Sequence, residues 1–310
     1  MFQMCITEKA VSPKSLTGII FCHQTRAMCN TLVTLLITLA LSLGDVRCCS
    51  STEVRVVDMT HAMGNDSLLW PGDTQFTFTI INRGRQPDGY WFEFNKFDTP
   101  EHVGTHLDSP AHFSERGWRV HQIPADRLVG PGVVVDVRDK VTTNSDYRLV
   151  VSDLQTWERK HGTIPAGAIV FLWSGWDVRY PNKTLTFNTP TPNVTASFHF
   201  PGFHTDAVRW LLQNRNISMI GTDTPSTDYG QSRVFEVHQM IGEANVMGLE
   251  NVNKLGEIPA SGATIVVAPI KLFDGSGGPV RILALVNKDD RAACTTNSAG
   301  RLQPFWMNLW

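Results

Sequence analysis

The sequence predicts a mixed α/β domain. Three observations carry that reading: eight segments of strand character, an absence of helical signals between the early ones, and an alternation of strand and helix signals in the second half. β-Branched and aromatic runs mark strands at residues 54–58, 76–81, 91–97, 133–137, 169–173, 217–221, 263–270 and 280–286. Ser152 with Gln155 three residues later reads as a capping box opening a short helix. Thr205 caps a helix over residues 206–214, whose Val208, Leu211 and Leu212 share one face, and a third helix covers 234–241. Early strands with no helix between them disfavour a plain doubly wound parallel sheet.

The chain has 310 residues with 27 Lys and Arg against 29 Asp and Glu, a net charge of −2, and 42 % hydrophobic residues. That composition excludes disorder, collagen and coiled coil. With no basic excess and no Lys/Arg cluster, the electrostatic footprint of a nucleic-acid partner is missing. Five of the six cysteines, Cys5, Cys22, Cys29, Cys48 and Cys49, precede residue 50, so no disulfide framework staples the rest. Residues 31–44 are a Leu-rich apolar run, shorter than the ~20 residues of a spanning helix and matching the h-region of a signal peptide. Residues 1–50 therefore read as a leader with a signal peptide at about 28–49, Met28 being an alternative start and an uncleaved anchor the competing reading. Residues 52–310 read as one domain of a secreted or lumenal protein with no stable span in its mature form. N-x-S/T sequons at Asn65, Asn182, Asn193 and Asn216 all follow the leader, as glycosylation in the secretory pathway requires.

One segment concentrates chemistry: His102-Val-Gly-Thr-His106-Leu-Asp108-Ser-Pro-Ala-His112-Phe113 places three of the chain's ten histidines and a carboxylate in a single stretch. Imidazole and carboxylate are common ligands of first-row metals. If His102, His106 and Asp108 share an ion, all three donors must come within ~2 Å of it. A helix would point Asp108 about 200° away from His106, and a straight strand would hold His102 and Asp108 ~20 Å apart. A bend or bulge is needed, and Gly104 and Pro110 provide for it.

The segment resembles the cyclase-type metal-dependent hydrolases, which include bacterial kynurenine formamidase and isatin hydrolase, whose hallmark is H-x-G-T-H-x-D-x-P-x-H-F. Trp70-Pro71-Gly72-Asp73, Ser174-Gly175-Trp176-Asp177, Phe200-Pro201-Gly202, Gly221-Thr222-Asp223-Thr224-Pro225-Ser226 and a distal His238 with Glu250 are similar to the same family in the same order. The resemblance spans about residues 55–286. It implies a compact, barrel-like mixed sheet of the swivelling β/β/α type with packed helices, often dimeric. It also implies a mono- or binuclear site, with one divalent ion on His102, His106 and Asp108 and, in the formamidase arrangement that His238 and Glu250 favour, a second ion on those two residues bridged by Asp108. Zinc is the first expectation for the metal, with manganese as the alternative.

A metal-bound water is acidified towards neutral pH while the ion polarises a carbonyl, which makes an amide carbonyl the natural target. His112 reads as the general base and acid that moves the proton to the leaving nitrogen, or as a fourth ligand. Trp70, Trp91, Trp173, Trp176 and Phe113 are candidates for an apolar wall against an aromatic amide, although such residues are more often plain core. Ser226, with Asp223 and Thr224, follows a predicted strand where polar groups can point into a pocket. The expectation is an arylformamidase cleaving N-formyl-kynurenine, probed against a cyclic-amide hydrolase of the isatin type and a secreted non-catalytic metal-binding protein.

Overall fold

All eight segments read as strands from their composition overlap strands in the structure, a computed structural model that describes residues 53–287. The expected signal segment lies outside the described residues, among which no helix is long and apolar enough to cross a membrane. The strands are β1 (Val54–Asp58), β2 (Thr77–Arg85), β3 (Trp91–Asp98), β4 (His106–Asp108), β5 (Val129–Asp136), β6 (Arg148–Leu149), β7 (Ile169–Trp173), β8 (Gly202–Phe203), β9 (Met219–Thr222), β10 (Met247–Glu250), β11 (Thr264–Pro269) and β12 (Gly277–Asn287). The helices are α1 (Arg138–Val141), α2 (Val151–His161), α3 (Lys183–Thr186), α4 (Thr205–Asn214) and α5 (Glu236–Glu243).

Two helix starts differ from the sequence reading. The first residue before α2 is Val150, whose N–H is taken by the Asp153 carboxylate at 3.0 Å, so Ser152 and Gln155 fall inside the helix. Before α4 the capping acceptor is the ring Nδ1 of His204, which receives the Asp206 N–H at 3.1 Å, and Thr205 is the first helical residue.

Eight strands run in the order β1-β12-β11-β5-β7-β9-β10-β4, and β4 also pairs with β12, so seven of them close into a barrel. Pairing is parallel from β5 through β7 and β9 to β10 and antiparallel elsewhere in the ring. Alternation along the strands separates two apolar layers. Ile169 and Phe171 of β7, Leu107 of β4, Leu249 of β10 and Ile265 of β11 point into the barrel. Val170 and Leu172 of β7, with Ile220 of β9, point outward against Leu154 of α2, Leu211 of α4 and Ile241 of α5. Since Leu107 faces inward, its neighbours His106 and Asp108 must face outward, towards the helix layer. Among the described residues β2 and β3 pair only with each other, as a separate two-stranded sheet.

Candidate metal centre

The bend that the histidine spacing requires is built from a turn, a three-residue strand and a 3₁₀ turn. Gly104 has φ +56°, a left-handed conformation that a side chain would strain, and a Cβ there would stand 3.0 Å from the Tyr180 hydroxyl. After it, β4 puts His106 and Asp108 on one face by simple alternation, and Pro110–His112 then turns back over the site. Glu250 lies directly across from His106 in the β10 register, and glycines, Gly248 and Gly277, flank Asp108 on both sides. Gly277 has a specific reason to lack a side chain: a Cβ would come within 2.4 Å of the His102 ring. His238 enters from α5, whose first turn is held by Asp228, its carboxylate accepting from Val237 N and His238 N at 3.1 and 3.2 Å.

These placements assemble two groups of potential ligands, His102, His106 and Asp108, and Asp108, His238 and Glu250, with donor atoms in each group within 4.8 Å of one another. Asp108 belongs to both. His102 Nδ1 lies 2.6 Å from Asp108 Oδ1, and His106 Nε2 lies 3.3 Å from Asp108 Oδ1 and 3.4 Å from Glu250 Oε2. His238 Nε2 is 3.0 Å from Glu250 Oε1 and 3.2 Å from Asp108 Oδ2. His106, Asp108, His238 and Glu250 are each no more than 5 % exposed.

The donor set fits a divalent cation in three respects. Each ligand imidazole turns one nitrogen to the centre and the other to an outer partner: His106 Nδ1 donates to the Gly104 carbonyl at 3.0 Å, His238 Nδ1 to Asp228 Oδ2 at 2.7 Å, and His102 Nε2 meets Ser276 Oγ at 3.2 Å. Asp108 Oδ2 is buried without a hydrogen bond among the described residues, although His238 Nε2 lies 3.2 Å from it. The field is also that of a cation site. Burial works against charge on Asp108, yet the imidazoles of His112 and His102 and hydrogen bonds from His102 and His106 hold its pKa well below the usual carboxylate range. Burial likewise disfavours charge on the imidazoles, but Asp108 and Glu250 raise His106 to about 9, and Asp108, Asp228 and Glu250 raise His238 well above its ordinary value. A divalent ion satisfies that negative field in place of the protons.

A cavity of about 310 Å³ opens above the centre. Trp70, Phe113 and Ser226, singled out from the sequence, line it together with His102, His106, His112, His238 and Glu250. The Ser226 hydroxyl is buried with no hydrogen-bond partner among the described residues. His112 stands outside both ligand groups and stacks on His102 with ring centroids 3.9 Å apart, and burial pulls its pKa down to about 4.

Trp176 does not line the cavity. Its indole is buried with Leu68, Phe187, Phe198 and Phe200, its Nε1 donates to the Thr186 carbonyl at 2.8 Å, and Arg179 covers its outer face. Trp91 is 60 % exposed on β3, and Trp173 packs under Arg138, so neither is a wall of the cavity. Asp223 and Thr224 are buried in hydrogen bonds behind it. The structure adds Leu68, Leu69, Phe187 and Phe235 as apolar walls, and Asp228 as the group orienting His238. Phe235 reaches the cavity from a left-handed backbone position, φ +53°, at the start of α5. No spacing in the sequence distinguishes these residues from ordinary core.

A family model described as "Putative cyclase" matches residues 57–229. The chain belongs to the cyclase family. Among its relatives, the isatin hydrolase of Roseibium aggregatum is 30 % identical over 252 residues, covering 77 % of this chain and 94 % of that protein. The kynurenine formamidase of Salinibacter ruber is 24 % identical over 226 residues, covering 73 % of this chain and 95 % of that protein. A crystal structure of an isatin hydrolase bound to the product analogue thioisatinate matches with TM-score 0.69 and 30 % identity, over 82 % of this chain and 98 % of that one. The named cyclase-family relatives are hydrolases, and the isatin hydrolase structure shares this chain's fold.

Proposed function

We propose that the protein is a divalent-metal hydrolase that opens the C–N bond of an aromatic amide, and that its substrate is a neutral, ring-fused amide of the isatin kind. The observation that carries the proposal is the pair of ligand groups sharing Asp108 at the floor of an aromatic cavity. Bound there, a divalent ion supplies Lewis-acid polarisation of the amide carbonyl and acidifies water near neutral pH. Zinc suits the borderline N/O donor set first, manganese second.

The chain's own residues do the rest. Trp70, Phe113 and Phe235 present ring faces and edges to a flat substrate. His112 presents an imidazole to the same space, from which it takes the proton of the attacking water and returns it to the departing nitrogen. Ser226 Oγ, with no hydrogen-bond partner among the described residues, can donate to a substrate oxygen.

Substrate choice rests on charge. Among the described residues no lysine or arginine lines the cavity, so the carboxylate of N-formyl-kynurenine would meet no cation from them, whereas a lactam needs none. Arylformamidase activity is the second reading, supported by the formamidase relatives and by Asp73 in the cavity wall, which could accept a substrate ammonium. Elemental analysis, followed by hydrolysis of isatin and N-formyl-kynurenine before and after chelation, tests both. Metal with chelator-sensitive isatin opening is expected. Formyl hydrolysis without isatin opening moves the assignment to the formamidase, and metal-independent or absent turnover of both overturns the proposal.

Passage through the secretory pathway is proposed on the leader sequence, and the exposure of all four sequon asparagines, Asn65, Asn182, Asn193 and Asn216, supports it. A mobility shift on glycosidase treatment of the protein from a eukaryotic host is the expected result.

A further inference from the structure

Glu101 stands one residue ahead of the histidine-rich segment and belongs to neither ligand group. Its carboxylate nevertheless gathers three donors on one oxygen: Oε2 accepts from Ser276 N at 2.8 Å, Gly277 N at 3.1 Å and Ser276 Oγ at 2.6 Å. The same Ser276 hydroxyl lies 3.2 Å from His102 Nε2, and the other nitrogen of that ring, Nδ1, is 2.6 Å from Asp108 Oδ1. Glu101 Oε2 is 4.0 Å from His102 Nε2 itself, too far for a hydrogen bond, so the serine is the link between them. Ser276 is held from its other side as well. Its carbonyl accepts from Ser109 N at 2.9 Å and from Ser109 Oγ at 2.7 Å, which ties it to the residue that follows Asp108.

The three ligand imidazoles differ in what meets their outer nitrogen. His106 faces a backbone carbonyl and His238 a carboxylate, groups that only accept. His102 faces a hydroxyl, which both donates and accepts, so Ser276 alone leaves the tautomer of the ring open. Glu101 closes it. Two backbone N–H groups, which can only donate, fix its Oε2 as an acceptor, and the single hydroxyl proton of Ser276 goes to that oxygen. The hydroxyl lone pairs are left to accept from His102 Nε2–H. Nδ1 is then the nitrogen that exchanges its proton for a cation, and it is the one facing Asp108.

From this we infer that Glu101 is a positioning residue for the candidate metal centre, holding His102, through the Ser276 hydroxyl, in the tautomer whose Nδ1 is the ligand. The inference rests on the reading of the site as a divalent-metal centre and adds to it a residue that no ligand spacing marks. It also predicts that the loss falls on one ligand group, because His238 and Glu250 have no bond to Ser276 among the described residues.

The test is titration of the purified full chain with zinc against a chromophoric chelator, for the wild type, Ser276→Ala, Glu101→Ala, Glu101→Gln and the double variant of the two alanines. Ser276→Ala keeps the backbone bonds to Glu101 and Ser109, so the fold should stand, and zinc affinity should fall about 10- to 100-fold at one of the two groups. Glu101→Ala should do the same. The double variant should bind zinc within about threefold of Ser276→Ala, because the carboxylate has no route to the ring once the hydroxyl is gone. Glu101→Gln, which keeps an oxygen for the three donors, should restore most of the affinity lost in Glu101→Ala. Urea unfolding separates the fold from the site: Glu101→Ala strips an acceptor from two backbone N–H groups and should cost stability with or without the hydroxyl, whereas zinc affinity should respond only with it. Wild-type zinc affinity in Ser276→Ala, or losses that multiply in the double variant, overturns the inference and leaves the metal centre standing. A wild type that binds no zinc overturns both.

Discussion

Asp108 and Asp223 are both buried carboxylates beside the barrel, but they are satisfied in opposite ways. Asp223 accepts from Ser174 Oγ at 2.6 Å, Ser174 N at 3.1 Å and Trp176 N at 2.8 Å, donors that cannot leave. Asp108 is met by imidazoles, each of which can exchange its proton for a metal, and one of its oxygens has no hydrogen bond. The first carboxylate therefore fixes a loop, the Ser174-Gly175-Trp176-Asp177 turn, and the second is suited to an ion. Burial alone does not separate a clamp from a cation site; the kind of donor facing the carboxylate does.

The largest test of that difference is Asp108→Asn. It removes the charge common to both ligand groups, so bound metal should vanish and hydrolysis fall by about a thousandfold or more, the several kcal/mol that metal activation supplies. Elemental analysis and initial rates check it, and the rise in melting temperature that zinc should give the wild type should be lost. Asp228→Asn removes no ligand but weakens the orientation of His238 and the hold on the first turn of α5. Here the expected loss is 10- to 100-fold in affinity for one of two ions, read by metal titration. Equal loss at both sites would show that the two groups are not distinct.

His102, His106 and Asp108 were legible because few structural needs place that many imidazoles beside a carboxylate in one short stretch. The barrel was legible where burial on two faces demands continuous apolar runs, as in the second half of β5 and in β7, and where burial alternates along apolar strands, as in β11 and β12. The strands that hold the site were not. β4 consists of His106, Leu107 and Asp108, and β10 contains Gly248 and Glu250, compositions with no strand signature, so their pairing is a tertiary fact. Trp176 shows a second limit. An indole can wall a cavity or fill a core, and the decision here lies with the Thr186 carbonyl, ten residues away, that receives its N–H. Asp228 was hidden for the same reason: its role is a contact with a helix start and a ring ten residues on.

Asp223→Asn is the mirror of the metal-site variants. An amide has one acceptor oxygen where the carboxylate has two, and its N–H₂ would face the N–H groups of Ser174 and Trp176. Stability should fall by about 1–3 kcal/mol, measured by urea unfolding, while metal content stays at the wild-type value. Loss of metal in this variant would erase the distinction between the two carboxylates.

The smallest effect is in the pH dependence, where the two groups have opposite signs. Burial raises the Asp223 pKa to about 6 despite its donors, whereas the unfolded carboxyl titrates near 3.8. Between those values the folded state holds a proton that the unfolded state has released, so this group's contribution to stability is fullest below 3.8 and is lost as pH rises through 6. Asp108 runs the other way, its depressed pKa contributing stability above 3.8 that is lost as pH falls towards the folded value. Taking metal-free protein from pH 7.5 to pH 5 should therefore stabilise the wild type relative to Asp223→Asn by about 1.4 kcal/mol, one pH unit below the raised value. Urea midpoints of the two proteins at both pH values measure it. A difference that does not grow on acidification would mean that the backbone donors, and not burial, set the charge of Asp223, and that it is ionised in the folded protein as Asp108 is.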